Sequence, residues 1–281
     1  MSGSGGLFGP GSQPSEEDGA ELSYMEMPKG MHTYSMPEIP EKEDANALRP
    51  ALAKLDEVLE ALNTTPPPGT TIEIDLNALD KANRDFIGQV LGEGEVSVIA
   101  GSSIQAQEAV MAGIWRLYEV DATGVLINDC IEIGTFPARV VKAAQASAGQ
   151  RLLAAGGAAH DGLMNAPAIA TELADKLSAY GPGSGTHAVN LTLLPLSEED
   201  QAYLDSRLGN GSVTILSRGY GNCRISSTAV KNAWRVRYFN SREAVILDTV
   251  EVTTLPEVAC AAKEDLEDSA GRLKEILEVY R

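Results

Sequence analysis

Apolar residues recur along this chain at two periods, three-to-four and two, and the switches between them mark out its elements. Leu48, Leu52, Leu55, Leu59 and Leu62 fall on one helical face and predict a helix over 46–63. TPPPGT ends it, because proline lacks an amide donor and disfavours a helical predecessor. TIEIDL, from Thr71, alternates and predicts a strand. A helix follows to about Leu91, with Leu79, Phe86, Ile87 and Val90 on one face and Gly92 suited to its C-cap. Period two then returns in four predicted strands, 96–100, 104–111, 114–121 and 125–133, with Gly101, Gly113 and Gly124 in the turns. Pro137 opens a predicted helix to about Gly149. The second half repeats this order: helix 167–180, strand 188–194, helix 197–208 behind a capping Ser197, strands 213–217, 224–230, 233–239 and 244–252, and a closing helix 268–280.

The halves also share residues. LGEGEVSVIA from Leu91 returns as LGNGSVTILS from Leu208, an offset of 117 that also lays Phe86 on Tyr203. After a two-residue insertion, an offset of 119 lays Trp115 on Trp234, Arg116 on Arg235, Asp129 on Asp248, Glu132 on Glu251 and Pro137 on Pro256. The expected fold class is α+β, a tandem duplication of an antiparallel-sheet unit, with the sheet covered by helices on one face. Each unit reads strand, helix, four strands, helix, the order of a TATA-box-binding-protein-like half, with one further helix in front. The expected division is a disordered acidic tail over 1–45, a first repeat over 46–162 and a second over 163–281.

Charge narrows the function classes. The chain of 281 residues has a net charge of −18, and residues 1–45 alone hold nine acids against two bases. Such a chain repels phosphate backbones, so nucleic acid is not an expected partner. No apolar run approaches the roughly 20 residues that span a membrane, and the N-terminus lacks a secretory pattern, so a cytoplasmic location is expected. One window departs from the acidic trend. Between Asp205 and Glu243 there is no acid, yet Arg207, Arg218, Arg224, Lys231, Arg235, Arg237 and Arg242 fall there. They either pair with acids elsewhere in the fold or form a positive surface for a carboxylate, phosphate or acidic peptide.

Candidate chemistry concentrates in SRGYGNCRI, 217–225, whose first-half equivalent AGSSI is two residues shorter and lacks the Arg, Tyr, Asn and Cys. A loop enlarged in one of two similar units points to work the other does not do. The partner-binding candidates are Arg218, Tyr220, Asn222, Cys223 and Arg224, with Arg235 and Arg237 on the adjacent strand face. Cys223, beside Arg224, is a candidate for a depressed pKa and thiolate or soft-metal chemistry. Cys130 and Cys260 are far from it, with no metal-ligand spacing, so neither a metal site nor a cofactor is expected. Trp115 and Trp234 read as core. Met25, Met27, Met31 and Met36, with His32, make Tyr24 to Met36 an arm able to pack on the body or a partner. His160 and His187 join no acid or nucleophile pattern, and no catalytic set emerges, so an enzyme is not expected.

LGEGEVSVIA…GIWRLYEV, LSRGYGNCRISSTAVKNAWRVRYFNSREAVILDTVEV, PEVACAAKEDLEDS and the tail's MPKGMHTYSMPEIPE together resemble the HupH family of hydrogenase expression/formation proteins, which includes HyaF and HoxQ. The resemblance covers nearly all of 46–281. It implies an accessory protein or chaperone for maturing uptake nickel-iron hydrogenases, acting on the iron-sulfur small-subunit precursor and with room for other maturation proteins. It brings no enzymatic residues. Two other classes stay open: an iron-sulfur or redox assembly factor using Cys223, and a small-anion-binding module at the basic loop.

Overall fold

Strands joined by short turns pair antiparallel with their chain neighbours, and both halves of this chain do so. A computed structural model describes residues 47–64, 66–67, 69–153, 162–218 and 222–280, all within one compact unit. The first half runs α1 (Arg49–Thr64), β1 (Ile72–Asp75), α2 (Lys81–Leu91), β2 (Val96–Ala100), β3 (Ile104–Glu108), β4 (Ile114–Val120), β5 (Leu126–Ile133) and α3 (Ala138–Ala146). The second runs α4 (Ala166–Ala179), β6 (His187–Asn190), α5 (Glu198–Leu208), β7 (Val213–Ser217), β8 (Asn222–Ser227), β9 (Ala233–Phe239), β10 (Val245–Val252) and α6 (Lys263–Tyr280).

The ten strands form one antiparallel sheet in the order β1-β5-β4-β3-β2-β7-β8-β9-β10-β6. Its two halves meet at β2 and β7, where Val98 lies opposite Ile215, Ser97 opposite Leu216 and Ile99 opposite Thr214. At an offset of 117 Val98 corresponds to Ile215, so this register is symmetric about the Val98–Ile215 pair, as at a two-fold interface.

Residues at corresponding positions make similar local interactions, though not always with corresponding partners. Gly92 and Gly209 end α2 and α5 at φ 60° and 61°, a left-handed backbone that glycine adopts without penalty. The Trp115 and Trp234 indoles donate to the carbonyls of Gly134 and Thr254, both at 3.2 Å. Arg116 grips Asp129 through Nε and Nη2, each at 2.9 Å, and Arg235 grips Asp248 through the same two nitrogens. Asn83 takes the amide of Ala51 at 3.0 Å. Its counterpart Asp200 accepts the amides of Met164, Ala166 and Ser197 at 2.9, 3.0 and 3.2 Å. Burial alone would raise the Asp200 pKa, but these backbone donors outweigh it and hold the carboxyl below its ordinary value.

The pleat sends alternate side chains to opposite faces, and helices cover parts of both. At one end of the first face, Ile74, Ile114, Ile131 and Ile133 pack under α1, α2 and α6 through Leu55, Ile87 and Leu273. At its other end, Val189, Val250 and Val252 pack under α4 and α5 through Leu173 and Leu204. On the opposite face, Trp115, Leu117, Ile215, Ile225, Trp234 and Val236 lie beneath α3, with Val140 and Ala144, and the segment holding Ala259. The expectation of helices on one face is therefore corrected. The sheet is apolar at the ends of one face and at the centre of the other, and each apolar area recruits its own cover.

Several boundaries also shift: β3 ends at Glu108 rather than 111, β8 at Ser227 rather than 230, and α3 at Ala146 rather than about 149. The strand expected over 188–194 ends at Asn190, whose Oδ1 accepts the amides of Thr192 and Leu193 at 3.0 and 3.3 Å and closes a 3-10 turn, Leu191–Leu193. Helix α6 starts at Lys263, before 268, with Glu264 and Asp265 suiting its first turn. Strand β8 starts at Asn222, before 224. The tail expectations, with Tyr24 to Met36, and His160 lie outside the described residues.

Candidate functional site

Between the two helix-covered ends, no helix among the described residues lies over the centre of the first face. Ser97 and Ile99 of β2, Gln105 and Gln107 of β3, Thr214 and Leu216 of β7, and Asn222, Arg224 and Ser226 of β8 lie on this face and are exposed or half-exposed. None of them belongs to the apolar clusters under the helices. Among these described residues there is no acid.

The two sides of this open centre differ in chemistry. Arg224 lies directly opposite Arg237 across β8 and β9. The corresponding pair across β3 and β4 is Gln105 and Tyr118. Like charges directly opposite each other are destabilising in a sheet, so the arginine pair costs stability that its neutral counterpart does not. The pair is partly compensated. The Arg224 guanidinium sits 5.6 Å from the centre of the Phe239 ring, within cation–π range. Arg237 Nε donates to Asp248 Oδ2 at 3.3 Å, with its side chain still 35% exposed. Leu216, opposite Arg224 on β7, adds an apolar surface beside them.

The other candidates separate by position. The Arg235 side chain is 11% exposed and is taken up by Asp248 and Asp205. It matches Arg116 in role and belongs to the framework, because acids outside the acid-free window fold back onto it. Arg218 is exposed just past β7, its amide donating to the carbonyl of Glu95 at 3.2 Å. Tyr220 lies outside the described residues. Asn222 and Arg224 belong to β8 rather than to a loop, since Ser217 already pairs with Cys223.

Cys223 corrects the expectation of a depressed pKa. The pleat that exposes Arg224 turns Cys223 to the opposite face, where it is buried in the core under α3. Burial, with the Glu251 charge adding to it, pushes the thiol up to about 11 even though a Tyr238 hydrogen bond works the other way. Sequence adjacency to Arg224 therefore gives no proximity. Burial likewise raises Cys130 to about 12 and Cys260 to about 11. Among the described residues no group of His, Cys, Asp or Glu is placed to hold a metal ion. Among the described residues no helix is long and apolar enough to cross a membrane.

Sequence reading missed Ile99 and Leu216 as parts of this face, whereas alternation along 233–239 already puts Phe239 on the side of Arg235 and Arg237. The available signal was the alternation itself. Once Asn222 rather than Arg224 opens β8, Arg224, Arg237, Phe239 and Leu216 share one side.

The conserved C-terminal region of the HupH hydrogenase expression proteins matches this chain twice, over 46–152 and 163–280. The hydrogenase expression/formation protein HoxQ of Cupriavidus necator is 51% identical over 275 residues, covering 96% of this chain and 95% of that one. HupH of Rhodobacter capsulatus is 49% identical, covering 98% and 96%. The hydrogenase-1 operon protein HyaF of Escherichia coli is 34% identical, covering 96% and 94%. A solved structure of the hydrogenase expression protein HupH from Thiobacillus denitrificans aligns with 41% of this chain and 94% of its own, at 26% identity and a TM-score of 0.37. Matches of this extent and identity, running through both halves, place the chain in the HupH family of hydrogenase expression/formation proteins.

Proposed function

We propose that this protein is a cytoplasmic accessory factor, a chaperone rather than an enzyme, for maturation of an uptake nickel-iron hydrogenase, and that it binds the iron-sulfur small-subunit precursor on the open centre of its sheet. The hydrogenase role is supported by relatives named as hydrogenase expression/formation proteins. The placement rests on one observation. Arg224 and Arg237 face each other on an accessible sheet surface in the second half only, with Phe239 and Leu216 beside them and no acid among the residues that β2, β3, β7 and β8 turn to this face. Arginines and aromatics on a desolvatable surface are the residue types that carry binding energy in protein interfaces.

The same reading treats 46–162 and 163–281 as tandem copies of one α+β unit of TATA-box-binding-protein-like order. Trp115 would superpose on Trp234 and Pro137 on Pro256. Retention of the arginine pair by one copy then marks the side that the partner engages.

Replacing Arg224 and Arg237 together by alanine is expected to weaken capture of the purified small-subunit precursor by at least about tenfold, the scale of one or more interface hot spots. The melting temperature should stay within a degree or two, or rise, because a like-charge pair is removed. Wild-type affinity in the double variant would move the site elsewhere. Cys223→Ser should bind and function as wild type, since the Cys223 thiol is buried and its pKa is pushed up to about 11. Loss of maturation with binding intact would instead favour a thiol-dependent assembly factor.

A further inference from the structure

Past Arg224 and Arg237 the open face runs onto exposed apolar side chains at its β10 edge. Arg224 stands over the Phe239 ring, and Phe239 lies opposite Val245. A bulge at Ile246 interrupts the β9–β10 register, and both Val245 and Ile246 are exposed. Arg237 reaches Asp248, whose amide in turn donates to Thr192 Oγ1 at 2.7 Å. Leu193 and Leu194 follow, both exposed, as the chain leaves β6 for α5 on this same face.

The two leucines mark a difference between the halves. At the offset of 117, Leu193 corresponds to Leu76 and Leu194 to Asn77. Leu76 is fully buried, whereas Leu193 is 79% exposed. The cause is local. In the first half the Asp129 amide donates to Asn77 Oδ1 at 3.0 Å. In the second half the corresponding Asp248 amide is taken by Thr192, two residues earlier in the repeat, and the turn extrudes Leu193 and Leu194. Contiguous exposed apolar side chains rimmed by charge are the mark of an interaction surface.

We propose that Leu193, Leu194, Val245 and Ile246 extend the partner face, and that the precursor segment received there is amphipathic, with a carboxylate between Arg224 and Arg237 and apolar side chains on the patch. This rests on the open face being the precursor site and specifies the chemistry of the segment it takes. An anion between the two arginines relieves their repulsion and forms charge-assisted hydrogen bonds. From β8 across β9 and β10 to the turn after β6 is three strand spacings, about 14 Å at roughly 4.8 Å each. The carboxylate and the apolar anchor are therefore about four residues apart in an extended segment, or about nine in a helix. A second copy of this chain is the poorer occupant, because a net charge of −18 opposes self-association.

The test uses the full chain with purified small-subunit precursor as the probe. Leu193→Ser/Ile246→Ser is expected to weaken capture by at least about tenfold. The melting temperature should be unchanged, since both side chains already face water. Capture by this variant should still weaken with added salt, whereas the residual capture by Arg224→Ala/Arg237→Ala should lose much of that dependence. A photoreactive benzoylphenylalanine at position 193 should attach to an apolar stretch of the precursor with an Asp or Glu about four or about nine residues away. Attachment to a stretch with no carboxylate in that reach would overturn the proposal. Wild-type capture by the serine variant, with weakened capture by the arginine variant, would overturn the patch and leave the arginine site standing. Wild-type capture by both would remove the precursor from this face altogether. A wild-type dimer in sedimentation that the serine variant converts to monomer would assign the patch to a second copy and overturn the proposal.

Discussion

Asp129→Ala is expected to cost roughly 3–5 kcal/mol of folding stability, the range for removing one partner of a buried ion pair. Asp129 is 2% exposed and holds the Arg116 guanidinium through two hydrogen bonds of 2.9 Å. Without the carboxylate, Arg116 keeps a hydrogen bond to the Arg84 carbonyl and remains largely buried as an unneutralised cation. The corresponding Asp248→Ala should cost less. Asp248 is 18% exposed, and Asp205 remains to neutralise Arg235. Urea unfolding of both variants, compared at constant m-value, reads the difference. A loss under about 1 kcal/mol for Asp129→Ala, or a larger loss for Asp248→Ala, would mean that the first-half pair is not a structural anchor.

Glu108 should make stability fall with rising pH. Its carboxylate is buried where α6 meets the turn after β3. It accepts the Gly113 amide at 3.2 Å. Burial raises its pKa from 4.5 to about 7, with the charges of Asp265 and Glu95 adding to the rise and the Gly113 bond opposing it. The folded state thus holds this proton more tightly than the unfolded chain. Its contribution is complete below about pH 4.5, declines as pH rises toward about 7, and is absent above that. A shift of this size corresponds to roughly 3–4 kcal/mol. Glu108→Gln preserves the acceptor for Gly113 and removes the ionisation. The variant should match wild type near pH 4.5 and exceed it by that amount at pH 8. Parallel stability profiles across this range would exclude Glu108 as the source.

The element order could be read from the residues because each signal was local. Leucine spacing in α1, alternation in β2 and β9, and Ser197 before α5 each fix a conformation without reference to the rest of the chain. What escaped depended on distant contacts. The turn after Asn190 is closed by a side-chain acceptor that competes with strand pairing. The placement of helices on both faces depends on which apolar patches meet in three dimensions. The candidate site divides in the same way. The acid-free window was visible in the sequence, but its arginines differ in role. Arg235 is neutralised by Asp205 and Asp248, one from either side of the window, whereas Arg224 stands over Phe239 on the open face. Cys223 was misread because adjacency along a strand places neighbouring side chains on opposite faces.

The proposed partner face is tested most directly by arginine-selective chemical modification of the full chain, alone and saturated with the small-subunit precursor, read residue by residue by mass spectrometry. Arg224 and Arg237 should react in the free protein and become protected several-fold in the complex, while Arg242, in the β9–β10 turn, keeps its reactivity. A complex that forms at the same affinity with Arg224 and Arg237 still fully reactive would place the precursor on another surface.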